Sequence, residues 1–215
     1  RFIPWDDEMD TACVIGLHGF TEEMIDRVID AFTDDGYYAH VDRTSRSVGI
    51  SFVKSSVRVD STCFRIIGDS IVQYPAVKTP LRLFTELKEI DFIGEKFLVP
   101  SPPEEYLTIK YGPDWTTPKA GGFEKDVVQN IPDGDVLDRR GRLGQFLVKH
   151  IVPWRAGRLR VLDGEGEPVQ GAEVIIAGVG RSRTNRQGYA RFYVPDEYFY
   201  AVTVRYGGHE EVLYS

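Results

Sequence analysis

Arg1-Phe2-Ile3-Pro4-Trp5-Asp6-Asp7-Glu8-Met9-Asp10 sets an acidic run inside an apolar frame at the head of a 215-residue chain. In extended backbone the side chains alternate, so over residues 6–10 Asp6, Glu8 and Asp10 share one face while Asp7 and Met9 take the other. Three carboxylates on one edge repel and raise one another's pKa unless a divalent cation sits among their oxygens. A solvated acidic turn is the plainer reading of any Asp-rich pentad. Both readings stand until the rest of the chain is considered.

Downstream, Thr21 can cap a helix whose first turn carries Glu22 and Glu23, with Met24, Ile25, Val28, Ile29 and Phe32 on one stripe. Asp34-Asp35-Gly36 should end it. Three runs rich in β-branched and aromatic residues follow, Tyr37–Val41, Val48–Val53 and Val57–Phe64, and read as strands. In the third, Val57 and Val59 alternate with Arg58 and Asp60, which puts a lone carboxylate on the polar face. Residues Pro80–Ile90 read as a helix entered through proline, and Phe92–Val99 as a hairpin about Gly94. Ser101-Pro102-Pro103-Glu104 has the form of a capping box, and the helix it starts should stop at Gly112 after Tyr111. A loop-like stretch over 113–134 and a helix from about Val136 to Ile151 complete this part.

Composition narrows the function. The 42% hydrophobic and 12% aromatic content supports globular cores, and the net charge of −7 argues against a nucleic-acid binder. No apolar run is long enough to span a membrane. The two cysteines, Cys13 and Cys63, form neither a disulfide framework nor a zinc motif, so a reducing, cytoplasmic location is expected, with any contact to the inner face of a membrane made through partners. His18, His40, His150 and His209 stand singly and read as surface or packed residues. A chain that begins with Arg and opens on its most acidic motif is expected to be a piece of something longer. No GxxxxGK[ST] or GxGxxG phosphate loop, GxSxG elbow or Cys/His pairing occurs.

Beyond Pro153-Trp154 the composition changes. From Gly157 there are 7 Arg and no Lys against 8 acidic residues, leaving 19 basic and 25 acidic residues before it. Short β-rich segments recur at Arg158–Leu162, Ala172–Ile176, Tyr189–Val194, Tyr200–Tyr206 and Glu211–Tyr214, separated by glycine-rich turns. This spacing predicts a small antiparallel sandwich and a boundary near residue 155.

The opening run resembles the signature of the LicD family, which includes the fukutin-type proteins, where Phe-Ile-Pro-Trp-Asp leads into alternating acidic residues. Two further segments agree in order: Val57-Arg-Val-Asp60, similar to the family's strand with a lone Asp, and Pro103–Pro118, similar to its helix ending in Tyr-Gly before an aromatic and a Pro. The resemblance covers about residues 1–120. It implies an α+β fold, a nucleotidyltransferase-like mixed sheet flanked by helices over residues 1–152. It also implies a transferase that moves phosphocholine or an alditol phosphate from a CDP-activated donor to a glycan of the cell surface or its precursor. Carried over by position, Glu8 and Asp10 would be the metal-binding and catalytic pair for Mg²⁺ or Mn²⁺, Asp60 the third carboxylate and Asp6 a further ligand. Asp60 would complete the metal shell or accept the acceptor's proton. Tyr111, Gly112, Asp114 and Trp115 would line the donor pocket, and Arg58 would meet a phosphate or pair with Asp60. Position 8 is Glu where the family usually has Asp. A non-catalytic glycan-assembly or adaptor protein that retains the fold is therefore the alternative.

Residues 157–215 resemble the carboxypeptidase regulatory-like or transthyretin-like sandwich, through Pro168-Val-Gln-Gly-Ala-Glu-Val174 and Thr184-Asn-Arg-Gln-Gly-Tyr-Ala-Arg-Phe192. That resemblance implies a spacer or a docking module for a protein partner, with Tyr198 and Tyr200 as the exposed aromatics that a glycan would need.

Overall fold

In the computed structural model of the chain, residues 8–117, 127–137, 139–151, 156–194 and 199–214 are described. The chain divides into two compact units, residues 1–73 with 78–122 and residues 74–77 with 123–215. The division therefore falls earlier than the composition change near residue 155, and helix α3 (Arg139–His150) belongs to the second unit.

The first unit is built on a four-stranded sheet in the order β1-β4-β3-β2, from β1 (Glu8–Val14), β2 (Tyr38–Arg43), β3 (Ser47–Lys54) and β4 (Val57–Phe64). β1 runs parallel to β4, while β2, β3 and β4 pair antiparallel. One face of this sheet is apolar because Val48, Ile50 and Phe52 recur at every second position of β3. Helix α1 (Glu22–Asp34) lays Ile25, Val28, Ile29 and Phe32 over it. Phe32 stacks on Phe52 with ring centroids 4.0 Å apart, and Phe52 is fully buried. Burying a side chain of that size contributes about 2–3 kcal/mol. Met24, assigned to the same stripe, is instead exposed at the start of the helix. Arg65 beyond the end of β4 pairs with Glu22, and Arg43 with Asp26 at 2.8 Å, so two acidic residues one turn apart tie one side of α1 to the sheet.

The expected nucleotidyltransferase-like mixed sheet flanked by helices is not the architecture. Of the described residues, 42% are in strands and 20% in helices, and they hold three short helices beside several small sheets rather than one helix-flanked α/β core. The main departure lies at residues 80–90. Only Leu81–Phe84 are helical, as one 3-10 turn with Leu83 and Phe84 buried. The chain then extends as β7 (Lys88–Phe92) against β8 (Glu95–Val99). The alternation of Ile90 and Phe92 outweighs the helical spacing that Leu81, Phe84 and Leu87 suggested. Ile90 faces Phe97 across the ribbon, and Phe97 meets the ring of Phe92 edge-on.

Helix α2 (Pro103–Tyr111) begins one residue later than the capping box implies, with Pro102 rather than Ser101 at the cap position. Its end matches the sequence: Gly112, at φ 91°, closes the helix by donating its N–H to Thr108 O. Tyr106 and Ile109 of α2 pack with Val14, Phe64, Ile71, Leu83 and Phe84 in a second cluster of the first unit.

The second unit is sandwich-like antiparallel β structure. One sheet has the order β11-β10-β13-β14, from β10 (Glu173–Ile176), β11 (Gly180–Arg183), β13 (Ala201–Tyr206) and β14 (His209–Tyr214). The other pairs β9 (Gly157–Arg160) with β12 (Tyr189–Phe192). Val174 and Ile176 from the first meet Ala190 and Phe192 from the second in one core. β11 escaped the sequence reading because Gly-Arg-Ser-Arg has no apolar alternation; it is an edge strand, where charge is tolerated. The motif residues have structural work. Buried Thr184 accepts the Ala172 N–H at 2.9 Å and donates to Val169 O at 2.7 Å, tying the two halves of the pattern. Gly188, at φ 80°, lies so close to Val161 O that a Cβ would stand 2.6 Å away.

Candidate functional site

Parallel pairing brings the two halves of the acidic motif together. The register sets Glu8 beside Arg58 and Asp10 beside Asp60, and alternation turns all four side chains to the face opposite α1. Ligand oxygens of Glu8, Asp10 and Asp60 all lie within 4.8 Å of one another. Glu8 and Asp60 are half-buried and Asp10 is exposed. Asp6 lies outside the described residues.

Arg58 bridges two of the three carboxylates. Its Nη2 sits 2.9 Å from Glu8 Oε2 and 2.5 Å from Asp60 Oδ2, and its Nε donates to Asp60 Oδ1 at 3.1 Å. The forked bond to Asp60 is the bidentate geometry that guanidinium favours. It is the main reason the Asp60 carboxyl is held below the usual range, against a smaller opposing effect of burial. A hydrogen bond from Ser51 and one shared with Glu8 act in the same direction. Three carboxylates against one guanidinium leave the cluster with two negative charges in excess.

The donor set suits a hard divalent cation, since every ligand is a carboxylate oxygen. Oxygens around Mg²⁺ stand about 3–4 Å apart, and the three carboxylates offer oxygens within 4.8 Å of one another. Arg58 already bridges Glu8 and Asp60, and its side chain is 50% exposed. It has room to swing toward solvent.

Three neighbours were not assigned to the site from the sequence, where His40 was read as a surface or packed residue. Ser51 faces Asp60 across β3 and β4, and His40 faces Ser51 across β2 and β3, so His40, Ser51, Asp60 and Asp10 form one row over four strands. The alternation of Ser47, Gly49 and Ser51 with the apolar residues of β3 signals that polar face, but strand order is not visible in it. Tyr106 of α2 donates to Gln73 Oε1 at 3.2 Å, and Gln73 donates to Thr79 Oγ1 at the same distance. Burial raises the Tyr106 phenol, and the charge of Asp10 raises it further, placing this ring beside the acidic edge.

Tyr111, Gly112 and Trp115 lie together at the C-terminal turn of α2, where the Trp115 N–H donates to Gly112 O at 3.3 Å. Both aromatic residues are half-buried. In the second unit Tyr200 is a core residue, 7% exposed, and not the surface aromatic that glycan stacking requires; Tyr198 lies outside the described residues. A shallow cavity of about 410 Å³ is lined there by Glu173, Arg183, Arg205, Tyr206, His209 and Glu210. Arg205 is engaged within it, 2.5 Å from Glu210 and 3.7 Å from Glu173.

No family model matches the sequence, and no curated protein or solved structure matches it significantly. No described helix is long and apolar enough to cross a membrane.

Proposed function

We propose that the chain belongs to a divalent-metal-dependent transferase of LicD type, which moves a phosphorylated small alcohol from a CDP-activated donor to a glycan. The observation that carries this reading is the convergence of Glu8, Asp10 and Asp60 from distant parts of the sequence onto one open sheet face. Glu8, Asp10 and Asp60 would hold Mg²⁺ or Mn²⁺. When bound, the ion would stabilise charge on the transferred phosphoryl oxygens. Arg58, released from its carboxylates, carries a fork of donors suited to a phosphate. Asp60 would complete the metal shell or accept the proton of the acceptor hydroxyl. Tyr111 and Trp115 supply aromatic surface for a cytosine ring.

Arg58 itself motivates a second reading, a non-catalytic glycan-assembly or adaptor protein. Its guanidinium already sits among the carboxylates, so no ion is required to hold them together. The two readings differ in what loss of Arg58 does. For the transferase, Mn²⁺ with a cytidine nucleotide raises the melting temperature of the full chain, Asp10→Asn abolishes the shift, and Arg58→Ala tightens Mn²⁺ binding roughly tenfold by removing its competitor. If Mn²⁺ gives no shift with either the wild type or Arg58→Ala, the transferase reading fails.

A further inference from the structure

The same strand pair carries a second chemical group on its other face. The β1–β4 register sets Cys13 directly beside Cys63, and both thiols are free. Neighbouring strands lie about 4.8 Å apart, inside the Cα separation of about 4.4–6.8 Å that a disulfide spans. Cys63 is packed in the cluster under α1 at 2% exposure, while Cys13 lies half-buried on β1. Among the described residues β1 is an edge strand of the sheet, bonded to β4 alone. It can therefore shift toward β4 without breaking a second ladder.

We propose that Cys13 and Cys63 form a peroxide-sensitive dithiol, in which Cys13 is the nucleophile and Cys63 closes a reversible disulfide across β1 and β4. The roles follow from the asymmetry of the pair. The neighbouring Cys63 lowers the Cys13 pKa to about 7, while Cys13 and burial push the Cys63 thiol up. Cys13 thus supplies the thiolate, and it is the more accessible of the two. Its sulfur attacks one oxygen of hydrogen peroxide; an S–O bond forms, the O–O bond breaks, and the departing hydroxide takes a proton to become water. Cys63 then attacks the Cys13 sulfenic acid. The S–S bond forms as the S–O bond breaks, and the leaving hydroxide carries off the Cys63 proton as a second water. Two thiols and one peroxide become one disulfide and two waters, with two electrons passing from sulfur to oxygen. A dithiol reductant reverses the reaction.

The proposal does not depend on the transferase reading. Its bearing on the acidic face is geometric: Asp10 and Asp60 lie three positions before Cys13 and Cys63 on the same two strands, so closing the disulfide clamps the pair that spaces the carboxylates.

The full chain is treated with equimolar hydrogen peroxide, digested without reductant and analysed by mass spectrometry. The expected product is a Cys13–Cys63 linked peptide pair, two hydrogens lighter than its parts and restored by dithiothreitol. In Cys63→Ser, dimedone should trap a sulfenic acid on Cys13. Because that substitution touches the core, substoichiometric iodoacetamide on the untreated wild type serves as a second measurement, and should label Cys13 over Cys63 by more than about tenfold. Recovery of only thiols or intermolecular dimers after peroxide, or equal labelling of the two cysteines, overturns the proposal.

Discussion

Polar residues play opposite parts in the two units. In the second, the residues that stand out in the sequence are engaged by the backbone: Thr184 bridges Ala172 and Val169, Asn185 accepts the Gln187 and Tyr189 N–H groups, and Asp163 accepts those of Glu165 and Glu167. Each is explained by the turn it closes. On the sheet of the first unit, Glu8 and Asp60 meet Arg58, and Asp60 meets Ser51, on a face that the fold leaves open. A polar group that completes the backbone accounts for architecture, whereas Glu8 and Asp60 are held by another side chain.

That contrast can be broken at three depths. Phe52→Ala removes the centre of the α1 core and should cost about 3–5 kcal/mol of unfolding free energy in urea; a loss under about 1 kcal/mol would mean α1 is not packed as described. Thr184→Val keeps the shape but strands a buried N–H and carbonyl, at about 1–3 kcal/mol. If the loss were negligible, the motif threonine would need a role other than tying its two segments. Asp60→Ala should cost only about 1 kcal/mol, because its partner Arg58 is half exposed. A loss as large as that of Thr184→Val would make Asp60 a structural residue and erase the distinction.

The acid limb sharpens the last comparison. Asp60 titrates below its unfolded value, held there mainly by the Arg58 hydrogen bond. Its stabilising contribution is complete above the unfolded pKa of about 3.9 and disappears as pH falls through the lower folded value. Stability of the wild type should therefore drop more steeply below about pH 4 than that of Asp60→Asn. Parallel pH profiles would show that Asp60 gains nothing from Arg58 in the folded chain.

Much of the local structure was legible because short-range physics decides it. Thr21 and Gly36 bracket α1, the three strand runs fall within a few residues of β2, β3 and β4, and Gly112 stops α2. The same kind of evidence misled at residues 80–90, where spacing compatible with a helix lost to the cross-strand pairing of Ile90 with Phe97. It also missed β11, whose charged residues carry no periodic signal.

From the sequence alone came the kinds of group available: carboxylates in alternation at residues 6–10, a lone Asp60 on the polar side of a strand, and two isolated cysteines. Alternation is a property of one strand, so it settles which side chains share a face. Only the tertiary structure determined that β1 lies parallel to β4 in the register that sets Asp10 beside Asp60 and Cys13 beside Cys63. Register depends on which distant strand completes the hydrogen-bond ladder and on the core it covers, and neither is written in the local pattern of either strand.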